Sequence, residues 1–310
     1  MIDYFLTVLG QIVSMFLMCV IGFVLFKSKL LTEKGIKEMT VLLLKVVTPL
    51  ILISSFQREF EKAVFIEWLW AFAAAAVCYG VFILMAAIFY RNKLKRGFAE
   101  SRMAVVLPNN GFMAFPIVLA LIGSDYGIFL ASANIVIFNI LLWTYGVKML
   151  KPDEKLNLKS LLTNPGIIGV AGGLLLFFSP IKLPAPVFTA VDAVGSLNTP
   201  VAMIILGALV ARTDFKQAFK KFEFYKLSLV KLIIAPVIMM LIYAVLPLPK
   251  TVQLVAFVGA VTPSATGVSM LSQLFDGDYK YATSAVVITT ILSAITMPIM
   301  LAIGKVVLGY

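Results

Sequence analysis

Histidine is absent from this 310-residue chain, which removes the commonest general base and the commonest metal ligand. Charge is scarce as well. Only 13% of the residues are Asp, Glu, Lys or Arg, against about 25% in an average soluble domain. A folded soluble surface cannot be built from so few charges. The two cysteines, Cys19 and Cys78, lie inside apolar runs and read as small core hydrophobes, which excludes a disulfide scaffold. No phosphate-binding loop occurs, which argues against a self-contained ATP-driven pump, and no HExxH motif occurs, which excludes zinc-protease chemistry. Neither an enzyme nor a bound cofactor or metal is expected.

What the chain has is apolar length. Hydrophobic residues make up 61% of it and the mean hydropathy is +1.03. Long apolar runs recur from Tyr4 to the C-terminus, so the fold class is an all-α polytopic membrane protein in a lipid bilayer. Hydropathy, charge and Gly/Pro punctuation predict ten spans, at 4–26, 39–56, 64–90, 103–122, 126–149, 164–179, 190–211, 227–247, 252–275 and 280–308. The sixth is short and runs into the Pro-rich stretch from Ser179 to Pro186. No Asp or Glu falls in mid-span, so a proton relay or sodium site built on carboxylates is not visible. Sodium would have to use backbone carbonyls. The first run is not a signal peptide by its flanks, because Asp3 precedes it rather than a basic segment.

The net charge of +11 follows from topology and not from nucleic-acid binding. Basic residues gather in the odd-numbered loops: Lys27, Lys29, Lys34 and Lys37; Arg91, Lys93, Lys95, Arg96 and Arg102; Lys148, Lys151, Lys155 and Lys159; Arg212, Lys216, Lys220, Lys221 and Lys226; and Lys280. The positive-inside rule then places these loops in the cytoplasm of a multi-pass inner (cell) membrane protein, with both termini on the other side.

An internal repeat is legible. Thr48-Pro49 matches Thr199-Pro200, Pro108 and Gly111 match Pro263 and Gly267, Asp125-Tyr126 matches Asp278-Tyr279, and Ser132-Ala133 matches Ser284-Ala285. All these pairs are 151 to 156 residues apart and in the same order. Residues 1–150 and 151–310 are therefore expected to be two five-span units. Five is odd, so the second unit enters the membrane inverted, an arrangement found in secondary transporters.

Leu107-Pro108-Asn109-Asn110-Gly111 in span four and Thr262-Pro263-Ser264-Ala265-Thr266-Gly267 in span nine are expected to break their helices at corresponding places. Non-helical backbone at membrane depth survives only where protein or a water-filled cavity satisfies it. The candidate substrate-binding residues are therefore Pro108, Asn109, Asn110 and Gly111 with Pro263, Ser264, Thr266 and Gly267. Lys45, four residues before Pro49 and near Thr48, is either an anion-attracting charge or a snorkelling anchor. Lys231 is expected to snorkel. Asn134, Asn139, Asn198, Thr199, Thr289 and Thr290 either line a cavity or hydrogen-bond between helices.

These motifs resemble the auxin efflux carrier family in its short prokaryotic form, over nearly the whole length. The resemblance is carried by Leu107-Pro108-Asn109 through Phe115-Pro116, by Asn164-Pro165, Leu183-Pro184, Thr199-Pro200 and Leu206-Gly207, and by Thr262-Pro263 to Leu274 and Ala282-Thr283-Ser284 to Met297-Pro298. Ser264 and Thr266 stand where some relatives carry an asparagine or glutamine, and Phe115 stands where a small residue is common. The long cytoplasmic loop of plant members is missing. The resemblance implies ten spans in the crossover fold shared with bile-acid sodium symporters. Spans 1, 2, 6 and 7 would form a scaffold, often a homodimer, and spans 3–5 and 8–10 a mobile transport domain. Asn109 and the breaks at Pro108 and Pro263 would hold a carboxylate.

The expected function is secondary transport of small organic anions such as malate or malonate, less readily auxin-like aromatic acids, by an elevator-type movement coupled to a proton or sodium. The alternatives are a sodium-coupled symporter of larger amphipathic anions, a channel, or a membrane sensor that binds its ligand without moving it.

Overall fold

The computed structural model describes residues 2–153, 159, 162–179, 181–213 and 215–310. Lys155 of the third loop and Pro180 of the Pro-rich stretch lie outside the described residues. In chain order the helices are α1 (Ile2–Lys27), α2 (Glu33–Leu42), α3 (Thr48–Ser55), α4 (Lys62–Phe89), α5 (Phe98–Val106), α6 (Phe115–Ile122), α7 (Tyr126–Leu141) and α8 (Val147–Leu150). They continue with α9 (Pro165–Phe178), α10 (Ala185–Gly195), α11 (Asn198–Arg212), α12 (Phe215–Lys220), α13 (Phe222–Leu229), α14 (Ala235–Val245), α15 (Lys250–Val261), α16 (Thr266–Leu274) and α17 (Tyr279–Leu308). No β-strand occurs among the described residues, and the fold is all helical.

Among the described residues, six stretches are long and apolar enough to cross a membrane: Tyr4–Lys27, Lys62–Phe89, Tyr126–Leu150, Ala185–Arg212, Phe222–Val245 and Tyr279–Leu308. They correspond to the predicted spans one, three, five, seven, eight and ten. The other predicted spans are shorter or divided pieces, among them the apolar helices Asn110–Ile122, Pro165–Phe178 and Lys250–Val261. Large apolar side chains face outward along the long helices, including Leu17, Val20 and Val24 on α1, Leu84 on α4 and Ile295 on α17. An outward apolar face is unfavourable in water and suited to lipid.

Proline accounts for three of the four wide π-helical turns among the described residues; the fourth, at Leu142–Gly146, runs into Val147–Leu150 without one. Wide π-helical turns at Leu43–Val47, Asn110–Ala114 and Val230–Ile234 each run into a helix with proline in its first turn, Pro49, Pro116 and Pro236. Proline has no N–H, and its ring clashes with the carbonyl four residues back. Those carbonyls belong to Lys45, Phe112 and Leu232, each inside the widened turn. Widening relieves the clash and lets the helix continue. Pro108 and Pro263 behave differently. There the chain leaves helical geometry, from Leu107 (φ −105°, ψ 95°) to Asn109 and from Thr262 (φ −68°, ψ 149°) to Ala265 (φ −69°, ψ 143°).

Glycine sets the closest helix packing. A methyl group at Gly22 would lie 2.1 Å from the Ile204 carbonyl oxygen, and one at Gly207 would lie 1.9 Å from that of Cys19. The backbones of α1 and α11 therefore touch. Likewise Gly169 and Gly173 of α9 bring it onto Pro49 and Phe56, and Gly195 of α10 abuts Ile51, so α3 lies between α9 and α10. On the other side α4 packs against α5, α7 and α15, and α17 against α5, α15 and α16.

Candidate functional site

The two non-helical segments lie against each other in antiparallel pairing between Pro108 and Ser264. The Asn109 amide donates to the Pro263 carbonyl at 2.8 Å, and the Ala265 amide donates to the Leu107 carbonyl at 2.9 Å. Each interruption thus satisfies part of the other's exposed main chain, which a buried position demands. The Ser264 hydroxyl donates to the Ala104 carbonyl at 2.7 Å, tying the second segment to α5, and the Ser264 amide donates to the Thr289 hydroxyl at 3.3 Å.

Beside this pairing sits a buried amide and hydroxyl network. The Tyr79 hydroxyl donates to Asn134 Oδ1 at 2.7 Å, and Asn110 Nδ2 donates to the same oxygen and to Tyr79. The Thr262 hydroxyl reaches Asn110 Oδ1 at 3.2 Å and the Gly259 carbonyl at 2.9 Å. Gly259 allows the approach: a methyl group there would lie 2.9 Å from the Asn134 side-chain nitrogen and 3.2 Å from Asn110 Oδ1. A cavity of ≈ 10 Å³, room for about one water, lies between Asn110, Asn134, Ala71 and Gly259.

Asn198 links this region to the α1–α11 side of the bundle. Its Nδ2 donates to the Gly111 carbonyl at 2.7 Å, and its Oδ1 accepts from the Thr48 hydroxyl at 3.1 Å. The repeat-related residues Thr48 and Asn198-Thr199 are thereby brought to the crossing, with Thr199 half-buried. Asn109 is 2% exposed, and its side-chain nitrogen is buried with no hydrogen-bond partner among the described residues. Thr266 is buried at the start of α16, and Gly267 faces Phe138 and Leu142.

Two candidates lie apart from this cluster. Lys45 is exposed on the wide turn before Pro49, while Thr48 is buried. Asn139 bonds back to the Ile135 carbonyl at 2.9 Å, and its amide is covered by Gly166 of α9. The snorkelling expected of Lys231 is not what the fold provides. Lys231 is fully buried, its Nζ has no hydrogen-bond partner among the described residues, and it sits 3.9 Å from the centre of the Phe82 ring. It lies on the wide turn at Val230–Ile234, between the buried Val230 and Leu232.

Sequence reasoning missed Tyr79, Thr262 and Gly259. Tyr79 carried a signal, as the lone phenol in the apolar stretch from Ala71 to Met85. Thr262 was quoted within the motif without a role, and the packing role of Gly259 depends on which helix α15 meets.

Helices with apolar outer faces around a buried polar crossing define a multi-pass membrane protein. A family model described as membrane transport protein matches residues 7–159 and 154–301. The chain therefore belongs to this family of membrane transport proteins, that of the auxin efflux carriers. It is also 26% identical over 200 residues to a protein of Methanocaldococcus jannaschii named as an uncharacterized transporter. That match covers 62% of this chain and 64% of the archaeal protein, just under two thirds of its length.

Proposed function

We propose that the chain is a secondary transporter of small organic anions, carboxylates of the size of malate or malonate, with its substrate site at the pairing of 107–110 with 262–266. Asn109 carries this reading. Its buried amide nitrogen, without a partner, stands beside the paired segments. An unsatisfied buried donor costs about 1–3 kcal/mol, and a carboxylate oxygen would offset that cost. The N-terminal end of α16 at Thr266 supplies the positive end of a helix dipole nearby. No carboxylate belongs to the hydrogen-bonded cluster to hold a cation instead.

Movement follows the division of the helices. In this reading the predicted spans 1, 2, 6 and 7 are a scaffold, and spans 3–5 and 8–10 carry the crossing as a unit. The glycine contacts of α1 with α11 and of α9 and α10 with α3 support the first group, and the packing of α4 with α7 and α15 supports the second. The Asn198 bond to the Gly111 carbonyl bridges the groups and would exchange as the transport unit slides, while its bond to Thr48 stays within the scaffold. The exposed Lys45 takes the role of interfacial anchor. A homodimer through the scaffold, coupling to a proton or sodium, and an inner-membrane orientation with both termini outside complete the proposal.

The test is thermal unfolding of purified protein against mono-, di- and aromatic carboxylates, with and without sodium, beside Asn109→Ala. A bound ligand at 100 times its dissociation constant stabilises by about 2.7 kcal/mol. A shift for small dicarboxylates that disappears in Asn109→Ala supports the site. An unchanged shift in that variant, or none for any carboxylate, rejects it.

A further inference from the structure

A second cavity of ≈ 390 Å³, whose lining shares no residue with the paired segments, opens where the end of α11 meets α13, α16 and the start of α17. Its volume falls within the range of small-molecule sites, roughly 300–1,000 Å³. Arg96, Arg212, Lys221 and Lys280 all line it, with Gln273 and Tyr279 among its polar neighbours. It also lies at the first turn of α17, so the positive end of a 30-residue helix adds to the four cations.

Among the described residues, the acidic groups around it are already engaged. Arg96 holds Asp278 through Nε at 2.6 Å, Arg212 holds Glu33 through one Nη at 3.1 Å, and Lys95 holds Glu223 at 2.8 Å. A guanidinium carries five N–H donors, so both arginines keep donors for another anion. Lys221 lies near enough to Asp278 to feel its charge, but neither Lys221 nor Lys280 is ion-paired among the described residues. With both arginines paired, two lysine charges remain, and one monocarboxylate would answer only one of them. Arginine forks with lysine point charges match a tetrahedral, multiply charged oxyanion better.

We propose that this cavity is a binding site for a phosphate monoester, either a free phosphorylated metabolite or a phospholipid headgroup, distinct from the transport site. The ligand would bridge α11 to α16 and α17. On the scaffold and transport-unit reading above, it would therefore restrain the sliding of one group past the other.

The test is thermal unfolding of the full chain in detergent, titrated with inorganic phosphate, glycerol phosphate and a short-chain phosphatidic acid at matched ionic strength. Wild type is compared with the double variant Lys221→Gln, Lys280→Gln and with Asn109→Ala. The two lysines are exposed, so their replacement is expected to leave the ligand-free midpoint unchanged, which the same melts check. The expected result is a saturable rise in midpoint whose half-saturating concentration increases at least tenfold in the lysine variant and stays put in Asn109→Ala. A response to the soluble phosphates identifies a metabolite site, and a response confined to phosphatidic acid identifies a headgroup site. Absence of any response, or an equal response in the lysine variant, overturns the proposal. Neither result touches the carboxylate test, which reads Asn109.

Discussion

At the scale of single residues, burial without a partner separates the informative side chains from the rest. Asn110, Asn134, Tyr79 and Thr262 satisfy one another, so each is costly to remove. Asn110→Ala is expected to destabilise by about 1–3 kcal/mol, because it strands acceptors and donors on three neighbours. Denaturant melts measure this, and a double-mutant cycle with Thr262→Val should give a clear coupling energy. Lys231 is the opposite case. A buried ammonium without an acceptor is expensive, and its contact with the Phe82 ring returns only part of that cost. Lys231→Met is therefore expected to raise stability by about 1–4 kcal/mol, the range seen when buried charges yield to apolar residues of similar volume. A lower melting midpoint in that variant would mean that the lysine has a partner in the native membrane. The sequence marked Asn109 and Asn110 through their neighbouring proline and glycine. It misjudged Lys231 because distance along a helix does not report the direction in which a side chain leaves it.

Among elements, the contrast is between prolines that widen a helix and prolines that end one. Pro49, Pro116 and Pro236 share the first behaviour and are followed by apolar residues, whereas Pro108 and Pro263 are followed by Asn-Asn-Gly and Ser-Ala-Thr-Gly. Tertiary contacts complete the difference. Pro108 and Pro263 lie in segments whose main-chain groups find partners on each other, so leaving the helix is tolerated there. Glycine contacts make a second set of expectations. Gly207→Val places a branched side chain into the Cys19 backbone, and overpacking of this kind costs about 1–3 kcal/mol or more, readable as a lower melting midpoint. The start of α17 adds a dependence on pH. Burial alone would raise the Asp278 carboxyl, but the Arg96 guanidinium and the Tyr281 amide outweigh it and hold it below the usual range. A lowered carboxylate contributes stability above its unfolded value near ~4 and loses it as pH falls through the folded one. Melts across that acid window should show the loss in wild type and its absence in Asp278→Asn.

For the whole molecule, the sequence supplied the class and left the assembly open. Composition alone identified a multi-pass helical membrane protein. Six of the expected spans are single long apolar stretches, and the remaining four are the short or divided ones, which hydropathy reads as uniform because it averages over a break. The matched Thr-Pro and Pro–Gly positions pointed to the segments that meet at the crossing. Which helices bury them was not legible, since Tyr79 and Gly259 join the network only through packing between distant parts of the chain. Asn198 of α11 bonds both to the Thr48 hydroxyl and to the Gly111 carbonyl beside the paired segments. The central claim is that Asn109 at the paired segments holds a small carboxylate in transit. Its most direct test is uptake of radiolabelled malate and malonate into proteoliposomes containing wild type or Asn109→Ala. Saturable uptake by wild type, reduced at least about tenfold in the variant, is the predicted result, equal to some 1.4 kcal/mol of lost interaction. Equal uptake by a folded Asn109→Ala protein would contradict it.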